Sequence, residues 1–382
     1  MIAVSVLAGI SVGSLYVIQA LLPVIAPDIG FGTAAAGVLV AVVQFGYATG
    51  LLLLVTRADD RRMRQRSVLQ LAILACAFTV AATLPHAVPV LLAFLVIGVT
   101  ATVGQSLLAV SHRQAAPARS THHVAIVTGA MLAGIFGGRL MAGALAEIAG
   151  WRAVLAVFAA LTAISIPVLL RGVPPPGARP PGTDRKPVRA TFTLLRSCAE
   201  LRWITAVQFF TFVAFTAMWT VVAVHLTDPA IGWSIAKANW FGVVGLAAGV
   251  AAPFLTTGPF ARALGGRPRR VGFAVMVVGV GMVVCRPASV PLLVAAMFAV
   301  TLANQLIHAV NQDRAMTLAP TARAKANAAF MMVVFIGGTL GAALGPLAFA
   351  MGGIQITAVL ALIAALASVL TAARWSRIRH GT

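Results

Sequence analysis

The chain has 382 residues, of which 60% are hydrophobic and 9% charged, with 28 Lys and Arg against 8 Asp and Glu and a net charge of +20. Soluble domains run near ~45–50% apolar and ~25% charged, so this composition cannot make a water-facing surface, and the surplus of apolar side chains must meet lipid. The basic residues sit in short clusters between apolar runs and not on one contiguous face, which excludes a nucleic-acid-binding domain.

Apolar runs fall at 2–24, 34–55, 67–84, 88–111, 124–146, 151–170, 203–225, 237–260, 271–285, 289–310, 326–350 and 354–373. Most approach the ~20 residues that cross ~30 Å of hydrocarbon as a helix. Strand alternation is missing, and unpaired backbone in lipid is too costly for any other conformation. The expected fold is therefore an all-α integral membrane protein of twelve transmembrane helices in two six-helix halves. The first run, MIAVSVLAGISVGSLYVIQALLP, lacks a basic leader and a small-residue cleavage site, and is expected to be a retained span. Within it, Gly9-Ile10-Ser11-Val12-Gly13 matches G-x-S-x-G. A nucleophile elbow needs a strand-to-helix turn, so packing glycines explain the match.

The connections set the orientation. Arg57, Arg61, Arg62, Arg64 and Arg66 fall in one loop, Arg113 and Arg119 in a second of the same side. The segment after run six, the loops near 262–270 and 314–325, and the C-terminal end add further basic residues there. The other side receives Arg152, Lys237 and Arg286, while Arg139 alone lies inside a span. The positive-inside rule then places both termini in the cytoplasm. The segment RGVPPPGARPPGTDRKPVRATFTLLRS is proline-rich in its first half and reads as a semi-rigid linker. It divides the chain into an N-terminal bundle at 1–170, a linker at 171–202 and a C-terminal bundle at 203–382. The pairs Gly137-Gly138 in span five and Gly337-Gly338 in span eleven suggest that the halves are repeats. Gly134 and Gly138, like Gly337, Gly341 and Gly345, stand four apart, a spacing that lets helices approach closely. Cys76, Cys198 and Cys285 show neither pairing nor metal spacing, and Cys76 reads as a buried small hydrophobe.

Several stretches resemble the major facilitator superfamily, in particular its bacterial drug-efflux branch of drug:proton antiporter type. They are YVIQALLPVIAPDIG (Tyr16–Gly30), VVQFGYATGLLLLV (Val42–Val55), GGRLMAGALAEIAGWRAV (Gly137–Val154) and NQDRAMTLAPTARAKANAAFMMVVFIGGTLGAALG (Asn311–Gly345). The loop between spans two and three departs from the family's pattern: TRADDRRMRQR keeps Asp59 and a basic run but lacks the glycines. Its counterpart, Gly258–Arg270, has Arg262 where an acid is usual. The resemblance implies that Asp59, Arg64 and Arg267 belong to a gate.

In the family, spans one, four, seven and ten line the cavity, and polar side chains in lipid tend to face one. Gln19, Gln105, Gln208 and Gln305 supply an amide from each of these helices. On span seven, Gln208, Phe212, Phe215 and Trp219 share a face, an aromatic wall suited to amphipathic or cationic ligands. Span ten adds Asn304 and His308, with Gln305, His308 and Gln312 on one face. Arg139 needs carbonyl, carboxylate or substrate partners; a structural role comes first, with gating or anion contact behind it. No carboxylate sits at mid-membrane, so the candidates for proton coupling are Asp28, His308 and Glu147.

The resemblance implies a secondary transporter exporting a small amphipathic compound by alternating access with proton antiport. It would use an ion gradient in place of any cofactor or metal, and work as a monomer in a bacterial cytoplasmic membrane. Uptake of a small neutral metabolite is the alternative. A membrane-embedded enzyme or sensor lacks support, since the sequence shows no catalytic dyad, metal motif or appended domain.

Overall fold

The computed structural model describes residues 2–57, 62–114, 117–173, 187–256, 267–319 and 323–380. Asp59, Arg262 and most of the two loops expected to gate lie outside them. Every regular element among the described residues is helical. Ten stretches are long and apolar enough to cross a membrane, and two of these cover 47 and 54 residues. At ~1.5 Å per residue such lengths are more than twice the hydrocarbon thickness, and both stretches reverse direction midway. One turns at Gly150 (φ 80°), the other at Gly352–Gly353, where Gly353 has φ 67°. Positive φ is nearly free only for glycine, so each reversal needs hardly any loop. The described residues thus form twelve spans.

Span one comprises Ile2–Ala20 and Leu22–Asp28, span two Thr33–Leu53 and span three Met63–Thr83. Span four comprises Ala87–Thr100 and Val103–Gln114, and spans five and six form Pro117–Gly172. A helix at Pro187–Ser197 precedes span seven, Ala199–Thr227. Span eight comprises Ile235–Asn239 and Phe241–Thr256, span nine is Pro268–Cys285 and span ten Val290–Thr317. Spans eleven and twelve form Arg323–His380. The proline-rich half of the linker lies outside the described residues, and its second half is helix carrying Arg189 and Arg196 on PVRATFTLLRS.

The glycine stripes act within each half, at corresponding pairs of helices. A Cβ on Gly134 of span five would lie 2.1 Å from Gly9 O of span one, and one on Gly13 would lie 2.7 Å from Gly134 O. In the second half, Cβ atoms on Gly337, Gly341 and Gly345 of span eleven would meet the carbonyls of Phe209, Val213 and Ala217 of span seven at 2.6, 2.5 and 2.8 Å. Spans five and one thus pack as spans eleven and seven do, backbone against backbone. The G-x-S-x-G glycines serve this contact. Cys76 corrects an expectation: it is exposed on the outer surface of span three. Its run is apolar all round, so hydropathy did not separate a lipid-facing position from a buried one.

Candidate functional site

Three spans are broken, each break with a visible cause. In span one, Pro23 has no N–H to donate to Gln19 O, and the helix is interrupted at Leu21, where Val24 N and Ile25 N both bond Leu21 O. Ala20 O, freed by the break, accepts from Asn239 Nδ2 of span eight at 3.1 Å. In span four the break at Ala101–Thr102 is bridged by Ser11 of span one. The Ser11 hydroxyl donates to Ala101 O at 2.5 Å and accepts from Gly104 N at 3.0 Å. In span eight a turn at Trp240 follows a short helix that Ser234 caps by accepting from Lys237 N at 3.2 Å. Irregular backbone at membrane depth is tolerated only where protein or a cavity surrounds it, and these breaks flank the polar centre.

That centre has two layers. The first joins the halves. Gln19 of span one is 2% exposed, and its Nε2 donates to Thr220 Oγ1 of span seven at 2.7 Å. Its Oε1 accepts from Arg139 Nη2 of span five. Arg139, 3% exposed, holds its guanidinium carbon 4.7 Å from the centre of the Trp219 ring of span seven. Trp219 donates to Thr301 Oγ1 of span ten at 3.0 Å and packs against Phe136 of span five with ring centres 5.6 Å apart. Counted along their helices at ~1.5 Å per residue, these side chains lie ~10–21 Å from the ends of spans one, five, seven and ten that face away from the chain termini. They are therefore near mid-membrane.

The second layer lies nearer the face carrying the termini and is built mainly by the C-terminal half, with spans two and four of the other half against it. Gln208 is fully buried; its Nε2 donates to Asn304 Oδ1 at 3.1 Å, and its Oε1 accepts from Asn311 Nδ2 at 3.2 Å. The Phe212 and Phe215 rings stack at 5.5 Å, and Phe212 meets Phe335 of span eleven at 5.3 Å. Phe335 in turn packs on Tyr47 of span two, ring centres 4.4 Å apart. Gln105 approaches the Tyr47 hydroxyl without forming a well-shaped hydrogen bond. Along this seam Gln44 Oε1, Tyr47 Oη, Arg139 Nε, Thr216 Oγ1 and Asn311 Oδ1 are buried and unpartnered. Buried polar atoms normally find a partner, and each of these is a donor or acceptor left over for water or ligand.

The other sequence candidates are scattered. On span ten, Gln305, His308 and Gln312 are half-buried, His308 beside the Phe330 ring at 5.3 Å and Gln312 bonded to Asn327 at 2.9 Å. Asp28 pairs with Arg152 at 2.6 Å and accepts from Trp151 Nε1 at 3.3 Å, beyond the central layer. Glu147 accepts from Ala236 N at 3.0 Å, tying span five to the start of span eight. Arg64 donates to Leu170 O, which joins spans three and six of one half. Arg267 is an exposed residue at the start of span nine. The cation seat on the aromatic wall is taken by the protein's own Arg139, which alters the ligand charge the wall suits. Thr220, Thr301 and Phe136 were missed by sequence reasoning, because hydroxyls and rings are commonplace in membrane helices.

The sequence pattern of the Major Facilitator Superfamily matches residues 4–285. The "Uncharacterized transporter YgaY" of Escherichia coli O157:H7 is 27% identical over 360 residues, covering 92% of this chain and 89% of its own. The "Probable transporter SCO4007" of Streptomyces coelicolor is 30% identical over 348 residues, covering 91% and 80%. Among solved structures, the peptide transporter POT in complex with sulfate superposes with a TM-score of 0.75 at 14% identity, over 99% of this chain and 94% of that one. The nucleoside transporter NupG gives 0.71 at 14% identity, over 98% and 99%. The helical pairs, the two halves and these relatives agree: the chain belongs to the Major Facilitator Superfamily and is a multi-pass membrane transporter.

Proposed function

We propose that this transporter exports a small amphipathic compound by alternating access in exchange for protons, as a monomer in a bacterial cytoplasmic membrane with both termini inside. The observation that carries the reading is the layer formed by Gln19, Arg139, Trp219, Thr220 and Thr301, where polar groups from both halves meet an aromatic wall near mid-membrane. Pockets that bind small molecules combine mostly apolar walls with a few placed polar groups. The hydrogen bonds that join the halves there and beyond it are single ones, Gln19 to Thr220, Asn239 to Ala20 O and Ala236 N to Glu147, beside the ring contacts of Trp219 with Arg139 and Phe136. Each such bond contributes only ~0.5–1.5 kcal/mol net, so no extended hydrogen-bonded network has to be broken for the halves to part at this face. Protons remain the proposed coupling ion, with His308 nearest the centre and Asp28 and Glu147 toward the face opposite the termini.

The test is accumulation of a panel of amphipathic fluorescent dyes in cells expressing the chain, with and without a protonophore. Lower accumulation that the protonophore abolishes is the expected result. Equal accumulation with and without the chain, once it is shown to be in the membrane, overturns export.

A further inference from the structure

Arg139 is the most demanding buried group among the described residues. It is 3% exposed, and its partners are the Gln19 amide oxygen and the Trp219 ring, with Tyr16 within electrostatic reach. No carboxylate among the described residues neighbours it. Asp28 is held by Arg152 and Glu200 by Arg314; Glu147 and Asp228 accept from backbone N–H groups, and Asp313 is exposed near the end of span ten. An amide dipole and a ring quadrupole offset part of the cost of a buried cation, but they leave its charge unneutralised. Arg139 Nε is also buried and unpartnered. Nε and Nη2 form the side edge of the guanidinium, two parallel donors that match the two oxygens of a carboxylate. One of them is free and the other is lent to Gln19.

We infer that the transported compound carries an anionic group, a carboxylate on an aromatic or apolar body, and that Arg139 binds it through Nε and Nη2. This rests on the transport reading above and narrows its substrate class. The body of the ligand lies against Trp219 and Phe136. Gln19 makes loading and opening one event: the carboxylate takes Nη2 from Gln19 Oε1, and the same amide holds Thr220 of the other half. Arrival of the anion thus loosens a bond between the halves, and the empty transporter keeps it.

Purified full-length protein in detergent is titrated with 2-naphthoate, 2-naphthamide and 2-naphthylmethylammonium, with tryptophan fluorescence and thermal protection as readouts. Naphthoate is expected to bind at least about tenfold more tightly than the amide, with the ammonium weakest. R139Q removes the preference and R139K keeps part of it. Q19A tightens naphthoate severalfold, because the guanidinium edge no longer has a competitor; a purely structural arginine gives no such gain. Equal binding of naphthoate and naphthamide overturns the inference, as does absence of naphthoate binding at millimolar concentration, and both comparisons use wild-type protein that needs no variant to fold. Charge-selective binding without dye export leaves the anion site standing and removes the export reading; export of neutral or cationic dyes without naphthoate binding does the reverse.

Discussion

Replacing Gly134 by alanine tests the packing that positions the site. A Cβ there would lie 2.1 Å from Gly9 O, 2.6 Å from Gly9 C and 2.7 Å from Gly9 Cα. All three are backbone atoms, so no side chain can swing aside. Bringing 2.1 Å out to an ordinary 3.4 Å contact requires spans one and five to part by about 1.3 Å. Overpacking costs ~1–3 kcal/mol, and a purely backbone neighbour places this site at the upper end. Alanine recovers ~1 kcal/mol as the better helix former, leaving a net loss of about 2 kcal/mol. The matched control is Gly129→Ala in the same span, where a Cβ meets nothing within 4 Å; that variant should equal wild type or gain up to ~1 kcal/mol. The assay is thermal unfolding of detergent-purified protein followed by tryptophan fluorescence. Gly134→Ala should also impair transport more than its stability loss suggests, because Arg139 and Gln19 sit on the two helices being separated. If Gly134→Ala melts with Gly129→Ala, backbone contact between these spans does not hold the bundle, and the reasoning fails.

Other substitutions probe separate claims. Trp219→Phe keeps a ring beneath Arg139 but loses the 3.0 Å bond to Thr301; a loss of ~1 kcal/mol in stability is expected, and an unchanged melting curve would show the bond to be idle. The Asp28–Arg152 pair is 43% and 38% exposed, so Asp28→Asn should cost no more than ~1 kcal/mol in stability. If protons pass through Asp28 or His308, Asp28→Asn or His308→Ala abolishes pH-driven transport in proteoliposomes; retention in both variants removes these residues from the coupling route. Cys285 is exposed at the end of span nine, on the face opposite the termini, and Cys198 lies just before span seven on the other face. A membrane-impermeant maleimide should label Cys285 in intact cells and Cys198 only after permeabilisation, and the reverse pattern would invert the orientation.

Hydropathy and basic clusters were enough to find twelve spans, because lipid forces backbone bonds inside each helix and charge outside it. The glycine spacings at 134 and 337–345 were legible for the same reason: small residues four apart leave few uses other than close approach. The shared face of Gln208, Phe212, Phe215 and Trp219 followed from helical periodicity. What each of them touches did not, since the Gln208 link to Asn304 and Asn311 spans about a hundred residues of sequence. Periodicity was also silent on Cys76, whose neighbours are apolar on every side. The cation over Trp219 belonged to a helix of the other half, so its identity needed the two halves to be placed together. The helix at Pro187–Ser197 left a sequence trace in its spaced apolar residues, but the prolines before it dominated the reading of the linker.

The reversals at Gly150 and Gly352–Gly353 have a consequence for anything that approaches the transporter from that end. The other connections there are also brief, Ile29–Gly32, Leu84–His86 and Arg286–Ser289 among them, the longest being Asp228–Ser234. A protease finds little slack chain to cleave, an inserted tag has almost no tolerant position, and an antibody meets blunt helix tips instead of a protruding epitope. A blocker acting from that face must grip those tips or slip between them, so the seam around Asn239 and Glu147 is the natural place to aim it.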